Sequence, residues 1–345
     1  MDLLEWKVIR VIPEARDTIS YVLEAISGAP VTYEAGQFLT FLLDYHGQEI
    51  RRSYSLGSTP GIDEQPFITV RKKENGAISR YILEHWHVGT LVSSLPPSGR
   101  FTLSTDPGHR RQVFFLAAGS GIVPVFALLK QLLRDESHSQ VVLLYQNHDE
   151  NNIIYHGAIQ QLEMLFPARF TRIDLLSHPI LPDLPHQRLN NGLFELLINR
   201  NLHPGPHPTL YYTCGPASFM RMVQFTLRVM GVEEEYIRKE NFTVETVPPP
   251  AFTIDMAPRR VQVRRGEQHH EFTVAYPTTI LQAALNQHIK LPYSCKGGRC
   301  SACTARCLSG TVKMNMNEVL TEKDLQNGLI LTCVGYAETD LILEL

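Results

Sequence analysis

The sequence predicts three domains of different build in succession: a small antiparallel β-barrel, a doubly wound parallel α/β sheet, and a smaller cysteine-bearing domain. Three observations carry this. Short strands of alternating polarity, separated by Gly- and Pro-containing turns, fill roughly the first hundred residues. From about Arg111 the strands become continuously apolar and alternate with helical patterns, as in a sheet covered on both faces. Beyond Pro248-Pro249-Pro250, a stiff extended spacer by composition, come five of the six cysteines.

The length of 345 residues fits two or three domains at roughly 100–200 residues each. A hydrophobic fraction of 43% and a charged fraction of 19% are those of a globular protein with proper cores. The net charge of −3, with no long basic run, excludes a nucleic-acid partner from expectation. Met1–Lys7 lacks the basic and apolar regions of a signal peptide. Val113–Leu129 carries no charge before Lys130, but Gly119, Ser120, Gly121 and Pro124 mark it as strand, tight loop and helix rather than a membrane span. Six cysteines in a chain of this size are no disulfide framework, so a reducing compartment, the cytoplasm, is expected.

In the first domain Phe38–Leu43 and Phe67–Val70 read as strands, with a helix over Ile78–Trp86 after the turn Asn75-Gly76. In the second, Val113–Leu116, Val141–Tyr145 and Leu210–Thr213 read as buried strands, and Val123–Leu133, Ile159–Phe166 and Ala217–Val229 as helices. In the third, strands are expected at Phe252–Asp255, Val261–Val263 and Phe272–Val274, and a helix at Ile280–Asn286 before the cysteine loop. The expected boundaries are 1–106, 107–245, a proline linker at 246–251, and 252–345.

Cys295, Cys300 and Cys303 stand as C-x4-C-x2-C, with Cys333 far downstream. That is the plant-type [2Fe–2S] spacing, and soft thiolates suit such a cluster. Gly297 and Gly298 let the loop close round an inorganic core with amides aimed at sulfur. The alternative is a structural zinc site, but such sites pair two short cysteine knuckles, and Cys333 has no cysteine beside it. Cys307 is read as a packed spare thiol.

Arg52-Ser53-Tyr54-Ser55 places a guanidinium, hydroxyls and an aromatic ring at a strand end, groups suited to a pyrophosphate and to the edge and face of a flavin. Gly76-Ala77-Ile78-Ser79 opens a helix whose free N–H groups attract phosphate, although Ser79 also suits a simple cap. Gly119-Ser120-Gly121-Ile122-Val123-Pro124 lies between a buried strand and a helix, where glycines admit a ligand at the carboxyl end of the sheet. Cys214-Gly215-Pro216 follows the later strand in the same way.

These motifs are similar to those of the ferredoxin–NADP reductase family: R-x-Y-S, the G-[ST]-G-I-x-P loop, and the C-G-P turn. Residues 252–345 resemble a plant-type ferredoxin, including Ile280–Leu285 and Leu291-Pro292-Tyr293-Ser294 ahead of the first cysteine. The resemblance implies a β-grasp-like α+β fold for this domain. It also implies that Val70 and Arg71 flank the flavin, that Ser79 binds its pyrophosphate, and that Phe242 covers it. FAD is implied over FMN. Ser55 and Cys214 would orient the reacting rings near the Ser120 and Gly215 loops.

The whole layout resembles reductase components of bacterial oxygenases, of the phenylacetyl-CoA epoxidase reductase type. Electrons would then run from NADH or NADPH through FAD and a [2Fe–2S] cluster to a protein acceptor, an oxygenase component. A flavin is the natural intermediary, since a hydride brings two electrons and a cluster accepts one. His148 stands where relatives that use NADPH often have an Arg for the 2′-phosphate, and the Asp149 and Glu150 that follow would repel that phosphate and favour NADH, unless Arg169 or Arg172 intervenes. Two rival functions are an accessory electron-transfer subunit of another dehydrogenase and a redox sensor that uses the cluster as a switch.

Overall fold

The computed structural model describes residues 3–203, 207–242, 252 and 254–345. The expected linker at 246–251 lies outside the described residues. One compact unit comprises Leu3–Pro97 and Phe101–Phe242, and the second comprises chiefly the chain after Phe242.

The first unit begins with β1 (Leu4–Ala15), β2 (Thr18–Ala25), β3 (Phe38–Tyr45), β4 (Gln48–Ser55), β5 (Phe67–Arg71), α1 (Ala77–His85) and β6 (Leu91–Ser94). The antiparallel sheet runs β4-β3-β6-β1-β2-β5. A bridge between Leu56 and Ile68 brings β5 back to the end of β4 and closes the barrel. Alternation along β1 buries Trp6 and Val8 while Glu5 and Lys7 face out, as a half-buried strand requires. Trp86, just past α1, packs edge-on against Tyr21 and Phe41 in the core.

The parallel sheet follows: β7 (Gln112–Ala118), α2 (Ile122–Asp135), β8 (Gln140–Asn147), α3 (His156–Leu165), β9 (Phe170–Leu176), α4 (Asn191–Asn201), β10 (Leu210–Cys214), α5 (Ala217–Val229) and β11 (Ile237–Glu240). Its order is β11-β10-β7-β8-β9. All of β7 is buried because alternate residues feed two cores. Val113, Phe115 and Ala117 meet the α2 side chains. Phe114 and Leu116 share the other core with Phe194 of α4 and Val223 of α5.

The second unit holds β12 (Arg259–Arg265), β13 (Gln268–Val274), α6 (Ile280–Asn286), β14 (Thr304–Ser309), β15 (Val312–Met314), α7 (Glu322–Gln326), β16 (Leu329–Leu331), β17 (Gly335–Ala337) and β18 (Leu341–Glu344). A mixed sheet, β13-β12-β18-β14-β16, pairs β12 with β18 in parallel, and α6 packs its Ile280, Leu281 and Ala284 into the core. This is the expected β-grasp-like build. The described residues of the strand expected at Phe252–Asp255, which are 252, 254 and 255, are not in a strand. Asp255 instead accepts the amide of Ala257 and pairs with Arg259, turning the chain, and Pro258 has no N–H to offer a ladder.

Candidate functional site

The hairpin of β3 and β4 sets Tyr54 opposite Leu39 and Ser55 opposite Phe38. Tyr54 packs against Phe41, and burial pushes its hydroxyl far up. The Ser53 hydroxyl meets Thr40 across the hairpin at 2.8 Å, whereas Arg52 stays exposed. Val70 is buried, and Arg71 donates to Asn152 at 2.8 Å with its guanidinium beside Gly119. Ser79 is committed to its own turn: its hydroxyl accepts from the Lys73 amide and donates to the Gly76 carbonyl. The groups left to meet a phosphate are the first amides of α1 at Ala77 and Ile78, with Gly76 as N-cap.

The two glycine loops of the parallel sheet meet. A Cβ on Gly121 would lie 2.1 Å from the Cys214 carbonyl oxygen and 2.8 Å from the Gly215 nitrogen, so only glycine permits the approach. Gly119 and Ser120 form a short 3-10 turn before α2, Pro124 lies buried in that helix, and Pro216 caps α5. Tyr145 donates to the Gly119 carbonyl at 3.1 Å and steadies the turn.

Ser55, Cys214 and Glu240 converge. Cys214 and Glu240 are register partners on β10 and β11, and the Ser55 hydroxyl donates to Glu240 Oε2 at 2.9 Å. Burial pushes the Glu240 carboxyl up to about 8, against the opposing hydrogen bond from Ser55. Burial likewise raises the Cys214 thiol, with Glu240 adding to it. Two residues on, Phe242 is 44% exposed. No sequence pattern singles out Glu240. Its only signal is its place in Glu240-Asn241-Phe242, and nothing local says that this acid is enclosed.

In the other unit, the loop before β14 carries Cys295, Cys300 and Cys303, and Cys333 follows β16, which pairs with β14. Thr332 ties the two segments by donating its amide and its hydroxyl to the Cys303 carbonyl, both at 3.1 Å. The thiols associate two and two. The Cys295 thiol is drawn down to about 6, first by its hydrogen bond with Cys300; the amides of Gly297, Arg299 and Cys300 assist, against burial. Cys303 is lowered first by Cys333. Further amides aim at sulfur, that of Gly297 at Cys295 (3.3 Å) and that of Cys295 at Cys300 (3.4 Å). Gly298, at φ +71°, passes under Met316, whose carbonyl would stand 3.1 Å from a Cβ.

Among the described residues, no group of three or more His, Cys, Asp or Glu is placed to hold one metal ion. Two thiol pairs suit two irons with two thiolates each, better than one zinc with four. Cys307 points away, toward the carbonyls of Ser309 and Gly310.

Comparison with known proteins agrees with this geometry. Residues 6–103 match the oxidoreductase FAD-binding domain, 115–224 the oxidoreductase NAD-binding domain, and 263–338 the 2Fe-2S iron-sulfur cluster binding domain. The ferredoxin reductase component of 3-ketosteroid-9-alpha-monooxygenase from Mycolicibacterium smegmatis is 32% identical, over 99% of this chain and 96% of that protein. The chain belongs to this ferredoxin reductase family. Another family member, a component of the 1,2-phenylacetyl-CoA epoxidase of Escherichia coli, is 31% identical over 94% of this chain and 92% of its own. Among solved structures, phthalate dioxygenase reductase shares the fold at 23% identity with a TM-score of 0.60, covering 99% of this chain and 98% of that one. This ferredoxin reductase is therefore an oxidoreductase of FAD, NAD(P)H and [2Fe–2S]. Among its described residues no helix is long and apolar enough to cross a membrane.

Proposed function

We propose that the chain is the reductase component of an oxygenase system, working in the cytoplasm and delivering electrons from NAD(P)H to an oxygenase partner. The observation that carries this is the match over nearly the whole of both chains to proteins named as such components. Relatives at lower identity are named for stachydrine N-demethylase and glycine betaine monooxygenase. What they share is the reductase role, so the substrate belongs to the oxygenase and not to this chain. Six free cysteines fit a reducing compartment.

In this reading, 1–106 binds FAD, 107–245 binds the nicotinamide, 246–251 links, and 252–345 carries the cluster. Bound together, these groups convert the two electrons of a hydride into single electrons. The chain supplies placement and protons. Arg52 and the first amides of α1 take the FAD pyrophosphate, and Tyr54 and Val70 bear on the ring. Ser55 and Glu240 hold a proton at the ring's edge, and Glu240 keeps it near neutral pH because burial disfavours the carboxylate. Cys214, held as a neutral thiol, packs beside the reacting rings and offers no nucleophile. Gly119, Gly121 and Gly215 would admit the nicotinamide, and Phe242 would cover the flavin. Cys295, Cys300, Cys303 and Cys333 would hold the cluster's irons.

Cys300→Ser tests the electron path. The expected variant keeps its flavin absorbance and its NAD(P)H–ferricyanide activity but loses cytochrome c reduction by more than about tenfold, one ligand being enough to compromise a four-cysteine site. Cytochrome c reduction at the parental rate would remove the cluster from the path.

A further inference from the structure

The topology of the parallel sheet says where a dinucleotide lies. Chain order reverses between β7 and β10, and ligands of open α/β sheets bind outside the carboxyl ends of the strands at such a switch point. The loops there are Gly119–Gly121 and Cys214–Pro216, beside Ser55 and Glu240, so the nicotinamide end belongs at this point. Neighbouring strands lie about 4.8 Å apart. The rest of the dinucleotide, running along the edge away from β10, crosses the ends of β8 and β9.

Three imidazoles stand at those ends. His148 follows β8, His178 lies two residues beyond β9, and His186 bridges to Leu176, the last residue of β9. The His148 and His178 rings stack at 4.4 Å and 13°, and His186 meets His178 edge to face at 5.3 Å. The backbone holds the pair, with the His178 amide donating to the His148 carbonyl at 2.7 Å. All three rings are exposed.

The carboxylates expected to repel a phosphate here are turned to other uses. The Asp149 side chain is only 4% exposed; it accepts from Asn152 at 2.6 Å, faces His148 Nδ1 at 3.2 Å and pairs with Arg16 at 3.6 Å. Glu150 accepts the amides of Ile180 and Leu181. The two arginines named from the sequence are likewise committed. Arg169 donates to the carbonyls of Leu133 and Glu136, while Arg172 pairs with Asp174 at 2.5 Å and reaches His156. Asp183 and Arg188 are the charges on the chain flanking His186.

We propose that His148, His178 and His186 receive the 2′-phosphate of NADPH, so that the preference between NADPH and NADH changes with pH. The proposal rests on the NAD(P)H-reductase reading and reverses the lean to NADH taken from Asp149 and Glu150. Imidazole gains its proton in the range pH 5–8, and a phosphate monoester is still largely dianionic down to about pH 6. Two stacked imidazolium rings repel each other unless an anion lies between or beside them, so protonation and phosphate binding strengthen one another. NADH presents a hydroxyl at that position and gains nothing from the charge.

The test uses the full-length holoprotein with ferricyanide as acceptor. Between pH 8 and pH 6 the ratio of KM for NADPH to KM for NADH should fall about tenfold, the scale of one charge-assisted hydrogen bond. In the double variant His148→Gln/His178→Gln the ratio should be flat, with KM for NADH and kcat retained. A flat ratio in the parent, or an unchanged profile in the variant, overturns the proposal. Calorimetry with 2′-AMP reads the histidines without turnover: binding that tightens toward pH 6 in the parent and is lost in the variant supports the site, and pH-independent binding overturns it. Should neither nucleotide bleach the flavin, the reductase reading falls, while the calorimetry still decides the histidines.

Discussion

Glu240 shows how a single side chain acquires its properties from a register. It sits at the end of β11 opposite Cys214, under the hydroxyl of Ser55, and desolvation there holds its carboxyl protonated to about pH 8. An unfolded glutamate gives up its proton near pH 4.3. Between those values the folded chain holds a proton that the unfolded chain has lost, so folding stability declines as pH rises from about 4.3 to about 8. Glu240→Gln should remove this contribution: urea midpoints at pH 5 and pH 8 should differ less in the variant than in the parent. An equal pH dependence in both would show that Glu240 titrates normally. The same substitution should slow flavin reduction by NAD(P)H while leaving nucleotide binding intact, as measured by stopped-flow. Motifs expose Ser55 and Cys214 at the sequence level because their neighbours form recognisable strings. Glu240 is set by a parallel pairing across a helical crossover and by Ser55 far upstream, and such contacts leave no local pattern.

At the scale of elements, the approach of two loops is the most demanding feature. A methyl group on Gly121 would overlap the Cys214 carbonyl, which is backbone and cannot rotate away. Gly121→Ala should therefore cost roughly 1–3 kcal/mol, as overpacking does, and cut reduction by NAD(P)H more than tenfold with FAD content preserved. Full activity in that variant would mean that the loops part without consequence. Strong periodicity makes most elements legible: α5 and α6 fall where apolar spacing puts them, and β7 and β8 extend their apolar cores by a residue or two. β9 escapes because Arg172 and Asp174 interrupt its apolar run. In the fold they pair with each other at 2.5 Å on an edge strand, so the charges are paired where they stand. Among the described residues of the strand expected at Phe252–Asp255, none is paired, for a local reason, an Asp-led turn ahead of Pro258 that outcompetes sheet pairing.

For the molecule, the flavin barrel and the parallel sheet belong to one compact unit, and a buried charged contact helps to join them. Lys130 of α2 is buried against Asp63 of the barrel, with its ammonium over the Phe126 and Phe67 rings. Burial lowers the lysine's pKa, and Asp63 works against that shift. Lys130→Met should destabilise the protein by roughly 1–3 kcal/mol, because it leaves the Asp63 carboxylate without its cation, with the Thr59 amide still donating to it at 2.6 Å. Adding Asp63→Leu should recover much of the loss, and a double-mutant cycle by urea denaturation reads the coupling. Strict additivity would show that the pair contributes nothing. The order of the three builds is legible from the strand and helix patterning and from where the cysteines fall. The side-chain contacts joining barrel to sheet are not, since a buried lysine and a surface lysine look identical in a sequence.

The division of the cysteines between a loop and a distant turn bears on biogenesis. Cys295, Cys300 and Cys303 leave the ribosome together, but the partner of Cys303 arrives only with Cys333, and only after β16 has docked on β14. With these four as ligands, a nascent chain cannot retain both irons until the segment carrying Cys333 has emerged. Cluster insertion then waits on the β14–β16 pairing that brings Cys333 to the loop. A chain arrested before Cys333 would leave the ribosome with its flavin and nicotinamide segments complete and without a closed seat for iron.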